Sequence, residues 1–230
     1  MTPDFFKQAG SRIREKVDEA YVDPSGRAAP IYDGIIDEEL YCSSTPRVMW
    51  ILKEPWDDEG SSGGGWSLCS DLLAITPVSS LSQSTFHPII YIAYGLFNGL
   101  NYEEMPWIRD MKDAEITLRR LAFINAKKLP GVTRGARASS ILAWYGRGRD
   151  VIRDQISSYD PQIIFGCAPH FSAILDDMNP LWRDAKQTTG SAEFVRIDQK
   201  LFVHVYHPGQ TRIKRKTYVD DALMAVRLSQ

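Results

Sequence analysis

The chain contains two kinds of apolar pattern, and each predicts a different secondary structure. Short runs of consecutive apolar residues are typical of strands buried on both faces of a sheet, whereas apolar residues repeated every three or four positions are typical of helices. The first pattern predicts strands at 47–53, 121–126, 161–166 and 201–206. The second predicts helices at 4–20, 86–99, 113–120 with Asp113 as its cap, 136–158, 171–178 and 219–228.

The predicted strands and helices alternate along the chain, as expected of a parallel sheet with helices on both faces. We therefore predict a single domain over 1–230, of the α/β class, with three α/β/α layers and a central parallel, mainly four-stranded sheet. Residues 1–46 are predicted to form an N-terminal helix and an irregular segment that wraps the surface. Residues 57–70 are predicted to be a loop, with the glycines and serines of 60–65 as its flexible part.

The composition is that of an ordinary globular protein, with 43% apolar and 24% charged residues in 230. The three cysteines, Cys42, Cys69 and Cys167, form no CxxC pair, so they predict neither a disulfide framework nor a four-cysteine cluster. We expect a cytoplasmic protein, because the N-terminus has no signal-peptide pattern and no apolar run approaches the length of a membrane span.

Charge is distributed unevenly along the chain, although the net charge is only −2. Residues 1–60 hold 13 acidic and 7 basic residues, whereas residues 127–149 hold six basic residues and no acidic one. The basic residues of two clusters are Lys127, Lys128, Arg134, Arg137, Arg147, Arg149, Arg212, Lys214, Arg215 and Lys216. Such clusters bind phosphates in some proteins and are merely solvated surface in others.

Polar side chains stand where three of the predicted strands end, namely Glu54, Asn125 and His207. Because the carboxyl ends of parallel strands lie on one edge of a sheet, we expect these three groups to line one cleft. An amide can bind the edge of a planar ligand, an imidazole can stabilise an oxygen that gains negative charge, and a carboxylate can orient water or stabilise a cation. Each residue also has a simpler interpretation. Glu54 would be a solvated strand end, Asn125 would hydrogen-bond to the local backbone, and His207 would be a turn residue.

Two other kinds of site are not predicted. The glycine-rich segment lacks a GxxxxGK[ST] pattern, which excludes a nucleoside triphosphatase of the P-loop class. His204 and His207 are three residues apart on a strand and point to opposite faces, so they do not predict a metal site. His87 and His170 stand at helix starts, where caps or surface positions are expected.

Taken together, the strand-end segments resemble motifs of the uracil-DNA glycosylase superfamily. Leu52-Lys53-Glu54-Pro55-Trp56 is similar to the family's Gly-Gln-Asp-Pro-Tyr motif, and Phe123-Ile124-Asn125 is similar to its Leu-Leu-Asn segment. His207-Pro208-Gly209 is similar to its His-Pro-Ser motif, and Trp66 stands where the family has a stacking aromatic residue. The resemblance covers 47–228 in the order and spacing of these elements.

The chain departs from the family pattern at several positions. Glu54 replaces an aspartate, which lengthens the side chain by one methylene, and Gly209 replaces a serine that contacts phosphate. A glycine still allows close approach of a phosphate to the backbone. Gln210-Thr211-Arg212 follows the third motif where the family usually has a leucine wedge, and three cysteines do not support the iron–sulfur branch.

The resemblance implies a DNA glycosylase that hydrolyses the N-glycosidic bond of a damaged or modified base and leaves an abasic site. It implies catalytic roles for Glu54 and His207, base binding by Asn125, Trp66 and Trp56, and no metal or organic cofactor. Phosphate contacts are expected from Lys127, Lys128, Gly209, Arg212 and Lys214. The partner is single- or double-stranded DNA, bound by a monomer, and uracil or a modified pyrimidine is the expected base.

Two other functions remain open at the level of the sequence. One is a catalytically inactive protein of the glycosylase fold that binds nucleic acid or a partner. The other is a small-molecule hydrolase, for example of nucleosides, which would not need the basic clusters. Salt-dependent DNA affinity would distinguish the DNA enzyme from the second of these.

Overall fold

The computed structural model describes residues 1–131 and 136–229, and its framework is a seven-stranded mixed sheet. The order of the strands across the sheet is β1-β3-β2-β4-β7-β6-β5. Their bounds are β1 Gly34–Ile35, β2 Val48–Leu52, β3 Leu121–Asn125, β4 Ile163–Gly166, β5 Gln187–Thr189, β6 Ala192–Ile197 and β7 Lys200–His204.

The centre of the sheet consists of the four predicted strands, β3, β2, β4 and β7, and all three of their pairings are parallel. The α/β class with a largely parallel sheet is therefore confirmed. The expected number of strands is too small, because β1 joins one edge and the β5–β6 hairpin joins the other, each in antiparallel pairing.

Ten α-helices lie within the described residues. Their bounds are α1 Pro3–Ala20, α2 Glu38–Ser43, α3 Leu68–Ala74, α4 Phe86–Asn98, α5 Ala114–Arg119, α6 Ala138–Arg147, α7 Arg149–Tyr159, α8 His170–Met178, α9 Trp182–Ala185 and α10 Arg215–Leu228. Short 3-10 helices cover Gly60–Ser62, Val78–Ser80, Tyr102–Glu104 and Ile108–Asp110. Asp113 precedes α5 as predicted, but its side chain makes no capping hydrogen bond.

Apolar residues pack on both faces of the sheet, because every residue of β2 is buried and alternate side chains point to opposite sides. Val48, Trp50 and Leu52 join a core that includes residues of α3, α4, α5 and α10. Met49 and Ile51 join a second core that includes residues of α1, α7 and α8. Helices thus cover both faces of the strands that carry Glu54 and Asn125 at their ends.

Three segments differ from the predictions. The helix expected at 136–158 is two helices, α6 and α7, which meet at Gly148. A Cβ at Gly148 would lie 2.0 Å from the hydroxyl oxygen of Tyr21, so only glycine allows this close packing. The irregular segment predicted after the N-terminal helix within residues 1–46 contains β1 and α2, and the loop predicted at 57–70 contains the start of α3.

No helix within the described residues is long and apolar enough to cross a membrane.

Candidate functional site

A cleft of about 940 Å³ opens at the carboxyl edge of the parallel strands. Its lining includes Glu54, Asn125 and His207, as the positions of these residues at three strand ends predict. It also includes the two tryptophans singled out in the sequence and Gly209. The other lining residues are Leu52, Lys53, Pro55, Asp58, Leu68, Ser82, Ser84, Thr85, Phe86, Gly131 and Ala136.

Backbone hydrogen bonds continue between the two central chains beyond the ends of β2 and β3. The Ala126 and Lys127 N–H groups donate to the carbonyls of Leu52 and Lys53, both at 2.9 Å. Further along, the Gly131 N–H donates to the Pro55 carbonyl at 2.9 Å. These bonds hold the segments that carry Glu54 and Asn125 side by side, so their separation depends on the sheet and not on a free loop.

The Glu54 carboxylate is paired with a neighbouring ammonium. The Lys127 Nζ atom lies 2.6 Å from Glu54 Oε2 and 3.3 Å from the Pro130 carbonyl oxygen. The two side chains are only 6% (Lys127) and 10% (Glu54) exposed. The second carboxylate oxygen, Oε1, lies beside Gly131, where an added Cβ would be 3.0 Å away. The carboxylate is therefore held in one orientation at the cleft wall.

Asn125 lies at the cleft floor and is oriented by a buried carboxylate that the sequence did not single out. Its backbone N–H donates to Asp33 Oδ2 at 2.7 Å, and its side-chain Nδ2 donates to the same oxygen at 3.3 Å. Since a carboxylate only accepts hydrogen bonds, the Asn125 amide nitrogen must face Asp33. Among the described residues, the amide oxygen and the second N–H have no hydrogen-bond partner.

Asp33 belongs to a fully buried polar network. The Lys128 ammonium donates to Asp33 Oδ1 at 2.6 Å and to Gln155 Oε1 at 2.8 Å, and Gln155 Nε2 donates to Asp33 Oδ1 at 2.9 Å. The side chains of Lys128 and Asp33 are both 0% exposed. Burial lowers the pKa of Lys128, while the Asp33 charge opposes that shift. The network supports the base of the cleft through Asn125.

These contacts correct the prediction that Lys127 and Lys128 bind phosphates. The Lys128 ammonium is enclosed and already has two oxygen partners. The Lys127 ammonium is almost enclosed and is bound to Glu54. The sequence showed two adjacent positive charges, but their partners come from 73 and 95 residues earlier in the chain. Such distant pairing has no local signal in the sequence.

His207 faces the cleft as a neutral imidazole. Burial, with a smaller contribution from the Lys53 charge, lowers the pKa of His207 to about 4. The Gly209 N–H donates to His207 Nδ1 at 3.1 Å, so the ring proton is assigned to Nε2. A Cβ at Gly209 would lie 3.3 Å from both His207 Nδ1 and Thr85 Oγ1, so any larger residue here would be in tight contact with both. His207 can therefore donate a hydrogen bond from Nε2 at neutral pH.

The low pKa of His207 predicts that the fold loses stability in acid. Unfolded histidine titrates near pH 6.5, whereas folded His207 titrates at about 4. Between these values the unfolded chain binds a proton that the folded chain excludes, so the free energy of unfolding should fall as pH decreases through this window. NMR titration should give an apparent pKa near 4 for this ring. In His207→Gln, the free energy of unfolding measured with urea should decrease less between pH 7 and pH 4.5 than in the wild-type protein. If it decreases as much as in the wild-type protein, other groups cause the loss of stability.

The glycine-rich segment is tied to its surroundings, in contrast to the predicted flexible loop. Residues 63–66 run beside 29–32, with backbone hydrogen bonds from Ala29 N to the Gly63 carbonyl at 3.0 Å and from Tyr32 N to the Trp66 carbonyl at 2.9 Å. A Cβ at Gly64 would lie 1.9 Å from the Ala29 carbonyl oxygen. The glycines therefore allow two chain segments to pass closely.

Trp66 and Trp56 line the cleft in different ways. The Trp66 indole N–H donates to Asp57 Oδ2 at 2.6 Å, and the half-buried ring is held against the cleft. This bond, with two backbone N–H donors, lowers the pKa of Asp57. Trp56 is 50% exposed, and its N–H donates to Asp58 Oδ1 at 3.2 Å. Trp66 is the better-fixed stacking surface, and Trp56 leaves one side of the cleft open.

Of the other basic residues singled out in the sequence, some are exposed and unpaired among the described residues, and others are paired with carboxylates. Arg212 and Lys214 are exposed, and neither belongs to a salt bridge within the described part of the chain. Arg149 and Lys216 are instead paired with carboxylates. Arg134 lies outside the described residues. Within 1–131 and 136–229, no group of three or more His, Cys, Asp or Glu side chains is placed to hold a metal ion.

Comparisons with known proteins give no family: no family model matches the sequence, and no curated protein matches it. The functional interpretation therefore depends on the geometry of the cleft and on the sequence motifs that form it.

Proposed function

We propose that the protein is a DNA glycosylase that hydrolyses the N-glycosidic bond of a damaged or modified base and leaves an abasic site. The observation that carries this proposal is that Glu54, Asn125, His207 and Trp66 line one cleft. A carboxylate, an amide, a neutral imidazole and an aromatic face are the groups needed to cut such a bond. The central parallel strands, with helices packed against them, support the three-layer α/β/α core that the proposal requires.

Base binding is assigned to Asn125 and Trp66. The base leaves the stacked strand to reach the cleft, as it must for chemistry at its glycosidic bond. Its ring stacks on the Trp66 indole, which Asp57 holds in place. Its edge pairs with the oxygen and the second N–H of the Asn125 amide. Because Asp33 fixes this amide, the pattern of donor and acceptor offered to the base is set before binding.

Bond cleavage is assigned to Glu54 and His207. Glu54 accepts a proton from a water molecule whose oxygen attacks C1′ of the sugar. The bond between C1′ and the base nitrogen breaks, and its electron pair moves onto the base. The His207 Nε2–H donates a hydrogen bond to a base oxygen as this negative charge develops. Lys127 compensates part of the Glu54 charge, which favours orientation of water over stabilisation of a bare sugar cation.

The cleft has room for a base larger than uracil. Its volume of about 940 Å³ lies near the upper end of the range of roughly 300–1,000 Å³ for pockets that hold drug-sized ligands. Trp56 is half-exposed, so it does not close the cleft against a substituent on the base. We therefore propose a modified pyrimidine in preference to uracil, bound by a monomer that acts on cytoplasmic DNA.

Two observations favour other functions. The ion pair between Glu54 and Lys127 would also suit a protein that binds nucleic acid without catalysis. The burial of Lys127 and Lys128 removes two expected phosphate contacts, which favours a hydrolase of free nucleosides. Release of a base from a nucleoside at least as fast as from an oligonucleotide, without salt dependence, would select the second alternative.

The proposal predicts base release from DNA with a selectivity that depends on Asn125. Single- and double-stranded oligonucleotides that carry a panel of modified bases should be incubated with the protein and scanned for abasic sites. The wild-type protein should release a narrow set of bases. Asn125→Ala should lower the rate on the best substrate by about 10- to 100-fold and reduce the preference among bases, because the amide no longer pairs with the base edge.

The matched control for this variant is Asn98→Ala, since Asn98 is an exposed amide at the end of α4. This change should leave both rate and selectivity unaltered. Absence of base release from every DNA in the panel, with a folded protein that still binds DNA, would reject the glycosylase and leave the binding protein.

A further inference from the structure

A second cavity of about 620 Å³ adjoins the cleft and is not used by the base-release chemistry. Lys53, His207 and Gly209 line both spaces, so the two adjoin each other at the strand ends, and together they are called the groove. The far wall of the second cavity comes from the β5–β6 hairpin, and its near wall from 204–212. A chain bound with one unit in the cleft would meet this cavity with its next unit.

The charge of the second cavity favours an anion. Lys53 and Arg212 line it, and neither side chain belongs to a salt bridge among the described residues. The one carboxylate in the lining is Glu193, which is paired with Lys186 and with His204 at 3.2 Å. The net uncompensated charge of the described lining is therefore positive.

An aromatic surface lies beside these cations. Tyr206 lines the cavity with 43% of its surface exposed. Its backbone carbonyl accepts a hydrogen bond from the Tyr218 hydroxyl at 2.8 Å, which fixes the residue while its ring stays accessible. Bases stack readily on such a ring, whatever their identity.

The walls of the cavity are held in place by hydrogen bonds. Ser191, in the turn of the β5–β6 hairpin, donates from its N–H and hydroxyl to Asp221 Oδ2, at 2.7 and 2.6 Å. The Gln210 side chain accepts from the Ile213 N–H at 2.8 Å and donates to the Ile213 carbonyl at 2.9 Å, which closes the turn that carries Arg212. The cavity is preformed, so little ordering is needed when a ligand binds.

We infer that the second cavity binds the nucleotide next to the released base, with its phosphodiester between Lys53 and Arg212 and its base against Tyr206. This inference rests on the proposed function and extends it. It makes the preferred substrate a DNA strand with an unpaired neighbour on one side of the target, because a base stacked on Tyr206 is no longer paired with a complementary strand.

The test compares short single strands on wild-type protein and three variants. Three substrates are compared: the target nucleotide alone, the target with one neighbour on its 5′ side, and the target with one neighbour on its 3′ side. Relative to the target alone, kcat/KM should rise for one of the two neighbours only. Tyr206→Ala should reduce that gain by roughly 5- to 150-fold, as expected for loss of one stacked base. Arg212→Ala should also reduce it. Tyr206→Ala should retain the wild-type rate on the target without that neighbour.

Lys216→Ala is the matched control, because Lys216 lies in the same basic segment but is paired with Glu103 and Asp220 away from the cavity. It should keep the full gain. A further substrate carries a sugar phosphate without a base in place of the neighbour. On this substrate Arg212→Ala should still lower kcat/KM, whereas Tyr206→Ala should have no effect, which separates phosphate binding from base binding. An undiminished gain in both Tyr206→Ala and Arg212→Ala would overturn the inference.

Binding separates this inference from the proposed chemistry. Fluorescence anisotropy of labelled oligonucleotides on Glu54→Gln protein measures the same neighbour effect without base release. If the wild-type protein releases no base but its affinity for short strands still depends on Tyr206 and Arg212, the binding site for the neighbour is supported and the glycosylase activity is rejected. If bases are released and neither variant changes affinity or rate for any neighbour, the glycosylase activity is supported and the binding site for the neighbour is rejected.

Discussion

Replacement of Glu54 by glutamine is expected to slow single-turnover base release by about 10²- to 10⁴-fold, with DNA affinity at or above the wild-type level. Glutamine keeps the shape of the side chain but cannot accept a proton from water. Binding is preserved because Asn125 and Trp66 are untouched, and because one negative charge is removed from a site that faces an anionic ligand.

The structure provides a matched control for this prediction. Glu59 is an exposed carboxylate in the same loop region, and Glu59→Gln removes an equal charge without touching the cleft lining. It should release bases at the wild-type rate. Since Lys127 loses its carboxylate partner in Glu54→Gln, circular dichroism and urea unfolding should accompany the kinetics. A folded Glu54→Gln protein with wild-type single-turnover rates would show that this carboxylate is not catalytic.

Replacement of Lys128 by methionine is expected to destabilise the fold by about 3–5 kcal/mol, because it leaves the buried Asp33 carboxylate without its charged partner. The pair is fully enclosed, and the same carboxylate also holds Asn125. Urea unfolding followed by tryptophan fluorescence should show the loss. Activity should fall even under conditions where the variant is folded, since the orientation of Asn125 depends on Asp33.

Two further variants test the cause of this effect. Lys16→Met breaks an ion pair with Asp154 in which both side chains are exposed, and it should leave the urea midpoint close to that of the wild-type protein. Asp33→Asn combined with Lys128→Met removes both charges and keeps an acceptor for the Asn125 N–H. The combination should be more stable than Lys128→Met alone. Equal midpoints for Lys128→Met and Lys16→Met would show that the buried pair contributes little.

The parallel centre of the sheet could be predicted because its strands are apolar over several consecutive residues. β2 and β3, for example, are buried at every position. The polar residues that follow such strands must then meet at one edge, which is why Glu54, Asn125 and His207 could be assigned to one cleft from the sequence alone. This part of the prediction depends on local pattern and on a general rule of topology.

The edges of the sheet were missed because their strands carry weaker patterns. Two of the three residues of β5 are exposed polar side chains, and β1 has only two residues. One signal for the hairpin was present, since Gly190 and Ser191 form a two-residue connection and Gly190 has a positive φ of 51°. A glycine followed by a small polar residue between short strands is typical of such turns.

The ion pairs of the site were missed for a different reason. The positive charges of Lys127 and Lys128 were evident, but their locations inside the protein depend on Glu54 and Asp33, which reach them only through the tertiary fold. Burial of a lysine is costly unless a carboxylate is close by, and only the structure shows that one is. Charge clusters in a sequence therefore give weak predictions of a binding surface.

The attachment of Trp66 has a consequence for engineering. The cleft has two walls of different origin: Glu54, Asn125 and His207 follow strands of the sheet, whereas Trp66 is held by Asp57 and by the backbone of 29–32. The segment 57–66 is thus a loop with both ends fixed by hydrogen bonds, and its sequence can be varied between them. Libraries confined to its non-glycine positions other than Asp57 would vary the shape and stacking of the pocket while the hydrolytic groups stay in place. They would therefore separate selection for a new base from selection for turnover.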